Sequence, residues 1–203
     1  MNADDVEIVS RTDAYAGFLG VKVFRLRHRL FGGGWSPILS REVMERGHAV
    51  CALPYDPVLD RVVLIEQFRI GAYAANDSPW MVECVAGMRS LAEEPGKVAR
   101  REILEETGLQ ATDLAYAGRA FATPGGSTES VEMFVARVDS ANAGGVHGLA
   151  SEGEDIRVFT EDFADAFSSF FDGRRVGSSF TVMTVQWLAL NRSGLRKKWG
   201  TQR

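Results

Sequence analysis

Between Phe18 and Phe31 apolar and basic positions alternate. Val21, Val23, Leu26, His28 and Leu30 fall broadly to one side and Lys22, Arg25, Arg27 and Arg29 to the other, with one slip of register near Phe24. A period of two marks a strand with one face turned from water. Gly32-Gly33-Gly34 supplies a turn and Ile38 to Glu45 a returning strand, so residues 1–46 read as a small antiparallel β domain. A hairpin of this size buries too little to hold itself. It is predicted to pack on the main domain or on another subunit.

Residues 47–203 form that main domain. His48 to Tyr55 and Arg61 to Phe68 are apolar, β-rich runs separated by a turn at Pro54 to Asp60, and Trp80 to Val85 is a third. Lys97 to Thr107 holds mostly good helix formers, with Pro95-Gly96 before it and Gly108 where a left-handed cap is usual. Ala115 to Ala122 and Val131 to Val138 read as strands around the loop TPGGSTES, and Ile156 to Phe159 as a short strand. Helices are predicted over Glu161 to Phe171 and Ser179 to Leu190, the latter with Val182, Val185, Leu188 and Ala189 on its apolar side.

Composition narrows the partners. A net charge of -4 and a pI near 5.5 disfavour a general nucleic-acid or membrane-surface binder, which carries a net basic face. No apolar run approaches the length of about 20 residues that spans a bilayer. Cys51 and Cys84 stand in no metal or redox spacing, and the acidic start MNADDVE lacks the basic and apolar regions of a signal peptide. A cytoplasmic location is expected.

The chemistry concentrates on the predicted helix. At about 100° per residue, Glu102, Glu105 and Glu106 share an arc of about 100°, so three carboxylates repel one another on one face. That arrangement is poor as a stabilising device and good as a seat for a cation. Carboxylates without neighbouring His or Cys suit Mg²⁺ or Mn²⁺, and Mg²⁺ sites commonly add substrate phosphate oxygens. There is no GxxxxGK[ST], no HExxH and no complete nucleophile elbow, and His28, His48 and His147 are scattered.

Gly87, five residues, Glu93, seven residues, then Arg101-Glu102-Ile103-x-Glu105-Glu106-x-Gly108-Leu109 resembles the box of the Nudix hydrolases at every specified position. The resemblance implies a hydrolase of nucleoside diphosphates linked to another moiety, built as an α/β/α sandwich with a mixed sheet, here with the N-terminal antiparallel β domain added. It implies that Glu102, Glu105 and Glu106 ligate the metals, that Arg101 and Glu93 pair to tie loop to helix, and that Gly87 turns the backbone so that the Ala86 carbonyl can reach a metal. Ala92 departs from a frequent glycine, and EEPGK is an unusual filling of the loop.

Pro124, fifteen residues after Leu109, and the stretch PGGSTE resemble the ADP-ribose branch of that family, as do RLRHRLF, ERGHA, IEQFRI, EDIRV and the QWL helix. For that branch, a loop matching Glu152-Gly153-Glu154-Asp155 supplies the base, Glu152, and a further metal contact, Glu154. Phe18 and Arg41 would hold the adenine side, Arg69 and Glu129 the ribose side, and Met88 would line the pocket. The implied reaction is hydrolysis of ADP-ribose with two or three Mg²⁺ ions. Another nucleoside diphosphate sugar such as GDP-mannose, or a non-catalytic ADP-ribose-sensing domain, are the alternatives. The resemblance also implies a homodimer in which the N-terminal segment crosses to the partner.

Overall fold

Alternation along residues 6–45 produces three antiparallel strands rather than two. The computed structural model describes residues 1–200 and, of Glu152, the backbone. In it β1 (Val6–Ala16) pairs with β2 (Gly20–His28), and β2 pairs with β3 (Leu39–Glu45). The strand expected from Phe18 onward begins after a turn at residues 17–19. The β2–β3 register runs unbroken through Phe24. Irregularities lie instead in β1, between Ile8 and Ser10 and between Asp13 and Tyr15. Bulges of this kind erase the period of two, which is why β1 escaped the pattern.

The chain divides into two units, residues 1–48 with 121–130, and residues 49–120 with 131 onward. In the first, the PGGSTE loop is tied to β3: Met44 N–H donates to Gly126 O at 2.8 Å, Thr128 N–H to Met44 O at 3.0 Å, and Arg46 pairs with Glu129 at 2.8 Å.

The second unit is organised by β4 (His48–Asp56) and β5 (Arg61–Phe68), antiparallel where Tyr55 faces Val62 and Asp56 faces Arg61. A short helix, α1 (Ile70–Ala74), follows. The expected single strand from Trp80 is two strands. β6 (Trp80–Glu83) pairs with β5 and β7 (Val85–Arg89) with β4. Cys84 between them turns its N–H away from the sheet to Thr181 Oγ1, at 3.0 Å.

After α2 (Pro95–Thr107) come β8 (Asp113–Phe121), β9 (Ser130–Arg137), β10 (Gly145–His147) and β11 (Ile156–Asp162), then α3 (Phe163–Phe171) and α4 (Ser179–Trp199). The sheet order is β10-β11-β5-β4-β9-β8. His48 meets Ser130 at the starts of β4 and β9, and Val138 N–H donates to Tyr55 O near their ends, so these two run parallel and the sheet is mixed.

Period two then builds the layers. Cys51, Leu53, Tyr55, Val62, Leu64, Met133 and Val135 join Phe163, Val185, Leu188 and Trp199 of α3 and α4 in one core. Val50, Ala52, Val63, Ile65, Phe134 and Ala136 join Val98, Ala99 and Ile103 of α2 in the other. The result is the expected α/β/α sandwich. α3 starts two residues later than expected because Glu161 and Asp162 still pair with Val62 and Arg61 on β5. α4 runs past Leu190 because Arg192 and Arg196 reach Asp60 and Trp199 enters the core.

Candidate active site

α2 starts at Pro95, two residues before the expected Lys97. The Glu94 carboxylate caps it, accepting from Gly96 N–H and Lys97 N–H at 2.9 Å each, and proline at the first turn gives up a donor that would have no partner there. Gly108 closes the helix in the left-handed region (φ 70°), its N–H donating to Leu104 O at 2.9 Å. The face that buries Val98, Ala99 and Ile103 also carries Glu102 and Glu106, 9% and 2% exposed. Two ionisable groups are therefore taken from water on the inner side of a helix.

Their electrostatics follow from that. Burial, and next the charge of Glu102, push the Glu106 carboxyl up to about 9; Glu154 adds to this, and the Ala86 N–H, donating to Glu106 Oε2 at 3.3 Å, opposes it. Burial is also the largest cause raising Glu102, with Arg101 opposing and Glu105 and Glu154 adding. A Cβ on Gly87 would land on the Glu102 carboxyl, so only glycine lets β7 pass this close. Glu154 is held by Leu149 N–H at 2.9 Å, above Gly148 (φ 100°).

Arg101 reaches Glu102 Oε1 at 2.7 Å and Glu105 Oε2 at 2.9 Å. The pairing expected with Glu93 is not its contact here. Glu93 Oε2 accepts from Ser90 N–H at 2.8 Å, which is the main cause holding its carboxyl below the usual range, while Arg101 acts on it only through its field. Glu105, four residues on, is Arg101's neighbour on the helix surface.

The donor set is all hard oxygen: Glu102, Glu106, Glu154 and the backbone beside Gly87. Carboxylates that raise one another in this way fit a divalent cation, whose charge would replace the protons they otherwise hold. Among the described residues no three His, Cys, Asp or Glu side chains are already closed into a metal cluster. Glu102 and Glu154 are engaged with Arg101 and the Leu149 amide instead.

Residues 45–174 match the NUDIX domain model. The chain belongs to the Nudix family. It is 43% identical over 196 residues to the ADP-ribose pyrophosphatase of Escherichia coli K12, covering 97% of this chain and 93% of that one. It is 39% identical over 198 residues to the ADP-ribose pyrophosphatase of Haemophilus influenzae, covering 96% and 91%. The GDP-mannose pyrophosphatase of Shigella flexneri serotype 5b is 32% identical over 155 residues, 74% of this chain and 78% of that one. A crystal structure of an ADP compounds hydrolase shares the fold, with TM-score 0.71 at 18% identity over 98% of each chain.

Within this Nudix chain the second unit holds Arg69, Ala86, Met88, Glu93, Arg101, Glu102, Glu105, Glu106 and Glu154, whereas Phe18, Arg41 and Glu129 belong to the first. Phe18 is 98% exposed in the β1–β2 turn, Arg41 on β3 donates to Ser40 O at 2.8 Å, and Glu129 is taken by Arg46. Met88 is half exposed on β7. Glu152 ends a single 3₁₀ turn, and its side chain lies outside the described residues. Arg69 follows β5 and binds Glu83 Oε2 at 2.6 Å. Glu83 was missed in the sequence although an acid inside the apolar run WMVECV was the available signal: it is buried, and it fixes the direction of Arg69.

Proposed function

We propose that this Nudix protein hydrolyses the diphosphate bond of ADP-ribose, water adding across the P–O–P linkage to give AMP and ribose 5-phosphate. The observation that carries this reading is near full-length similarity, at 43% identity, to an ADP-ribose pyrophosphatase, together with the buried Glu102 and Glu106 facing Ala86–Gly87. Glu102, Glu106 and Glu154, with the Ala86 carbonyl, would hold two or three Mg²⁺, or Mn²⁺, ions. Such ions supply neutralisation of the diphosphate and a more acidic water.

The remaining work belongs to side chains. Glu152 takes the proton of the attacking water, a task the ligating carboxylates are poorly placed to perform. Arg69, aimed by Glu83, binds the ribose side with Glu129, Met88 lines the pocket, and Phe18 and Arg41 hold the adenine. Arg101 and Glu105 keep Glu102 oriented, and Glu93 shapes the loop ahead of the helix. Residues 1–46 act as a dimerisation domain and residues 47–203 as the hydrolase domain of a cytoplasmic homodimer. Among the described residues no helix is long and apolar enough to cross a membrane.

The test is a screen of nucleoside diphosphate derivatives with Mg²⁺, products identified by mass. AMP and ribose 5-phosphate from ADP-ribose, abolished by chelation, are the expected result. The 32% identity to a GDP-mannose pyrophosphatase favours GDP-mannose as the second reading. Faster turnover of GDP-mannose would replace the first with it.

A further inference from the structure

Gln67 on β5 is a buried polar residue that the reaction above does not use. It is 9% exposed, and its Nε2 has no hydrogen-bond partner among the described residues. Arg89 Nε and Trp199 Nε1 share that condition. Arg89, however, donates through Nη1 to Ser90 O and Glu93 O and sets Nη2 3.9 Å from Glu132, and Trp199, the last residue of α4, lies in the core. A buried donor without an acceptor is costly, and replacing it by an apolar group of the same shape is neutral or stabilising. A glutamine kept in such a place calls for an acceptor that arrives from outside the chain.

The sheet register says where that acceptor would sit. Ile65 faces Glu83 and Gln67 faces Met81 on β6. On the other side Arg157 faces Glu66, so the next step brings Gln67 opposite Ile156. Val63, Ile65 and Ile156 all lie in the core beneath α2, and period two puts Gln67, then Arg69, on that same face. The diagonal neighbour of Gln67 on β6 is Glu83, which holds Arg69. Its neighbour on β11 follows Glu154 by two residues. Gln67 thus occupies the sheet floor between the Arg69–Glu83 pair and the loop of Glu154, on the side that carries Glu102 and Glu106.

We propose that Gln67 contacts substrate, its side-chain N–H donating to a non-bridging oxygen of the diphosphate. The surroundings favour an amide for this role. Four carboxylates, Glu83, Glu102, Glu106 and Glu154, gather around this face with two guanidinium groups, Arg69 on Glu83 and Arg101 on Glu102, both already paired. A neutral donor reaches a phosphate oxygen without drawing any of those carboxylates from its partner. The inference rests on the nucleotide-diphosphate reading of the site.

Gln67→Met, close in length and volume, and Gln67→Leu as a second variant remove the donor. Steady-state kinetics on ADP-ribose and GDP-mannose, Mg²⁺ titration and thermal unfolding are measured for wild type and both. The expected result is a melting temperature unchanged or higher, half-activation by Mg²⁺ unchanged, and kcat/KM lowered about tenfold to hundredfold, the loss appropriate to one hydrogen bond to a charged oxygen. Wild-type kcat/KM in a stably folded variant overturns the role. So does a loss accounted for wholly by weaker Mg²⁺ activation or by unfolding of both variants. If wild type prefers GDP-mannose, the ADP-ribose reading fails and Gln67 is judged on that diphosphate instead. If wild type hydrolyses neither, both fall.

Discussion

Glu106 shows how a single residue carries the cost of the site. At 2% exposure, beside Glu102, its carboxyl is pushed up to about 9 from an ordinary 4.5. Between those values the folded, metal-free protein holds a proton that the unfolded chain has lost, so stability falls as pH rises through that window. Thermal unfolding in chelator should therefore give a lower melting temperature at pH 8 than at pH 6. Mg²⁺ should reverse the difference at pH 8, and Glu106→Gln should flatten it. The same substitution should leave the fold intact and lower turnover by at least about a hundredfold, since one charge of the cation seat is gone. Near-normal activity with normal Mg²⁺ affinity would remove Glu106 from the site. The box glutamates were legible because their spacing is a property of one helix. Glu83 and Gln67 were not, because their importance comes from which strands lie beside β5, and β11, nearly ninety residues on in the chain, leaves no mark in the pattern of β5 itself.

At the scale of elements, α2 and the strands that meet it fix where the carboxylates stand. A Cβ at Gly87 would occupy the space of the Glu102 carboxyl, so Gly87→Ala should displace that group and depress turnover and Mg²⁺ activation together. A variant with both intact would show that β7 can retreat. Glu94→Ala removes the acceptor of two helix N–H groups and should cost about 1 kcal/mol, a fall of about 2–4 °C in melting temperature. The cap was hidden because glutamate is not a favoured capping residue and Pro-Gly reads as a turn. β1 was hidden by its bulges, whereas α2 was legible from its helix formers between Pro95-Gly96 and Gly108, and β4 and β5 from their apolar, β-rich runs. The acidic loop separates two roles. Glu152→Gln should lower turnover while ADP-ribose and Mg²⁺ still bind, and Glu154→Gln should weaken Mg²⁺ as well. Titration calorimetry giving the reverse would exchange the two assignments.

At the scale of the whole molecule, the first unit has a sheet without a core. Of residues 1–48 Ser36 alone is buried, while Val6, Ile8, Val9, Tyr15, Phe18, Phe31 and Ile38 are each at least 43% exposed. Three strands need a covered apolar face to be stable, and exposed apolar strands invite pairing with another chain. The period of two made the β character of this region legible in the sequence. What covers it was not, since a partner surface leaves no mark on periodicity. We predict that a second copy supplies the cover, through closed two-fold association, the commonest arrangement for identical chains. The partner's site would then receive Phe18, whose fully presented ring is suited to stack on a purine base, and Arg41. Light scattering should give about twice the 22.3 kDa chain mass. Removing residues 1–46 should abolish that doubling and raise KM for ADP-ribose. Phe18→Ala in the intact chain should raise KM while leaving the dimer in place. A truncated monomer with unchanged kcat and KM would refute the shared pocket while leaving the chemistry of α2 untouched, because the carboxylates, Gly87 and Arg69 all lie in the second unit.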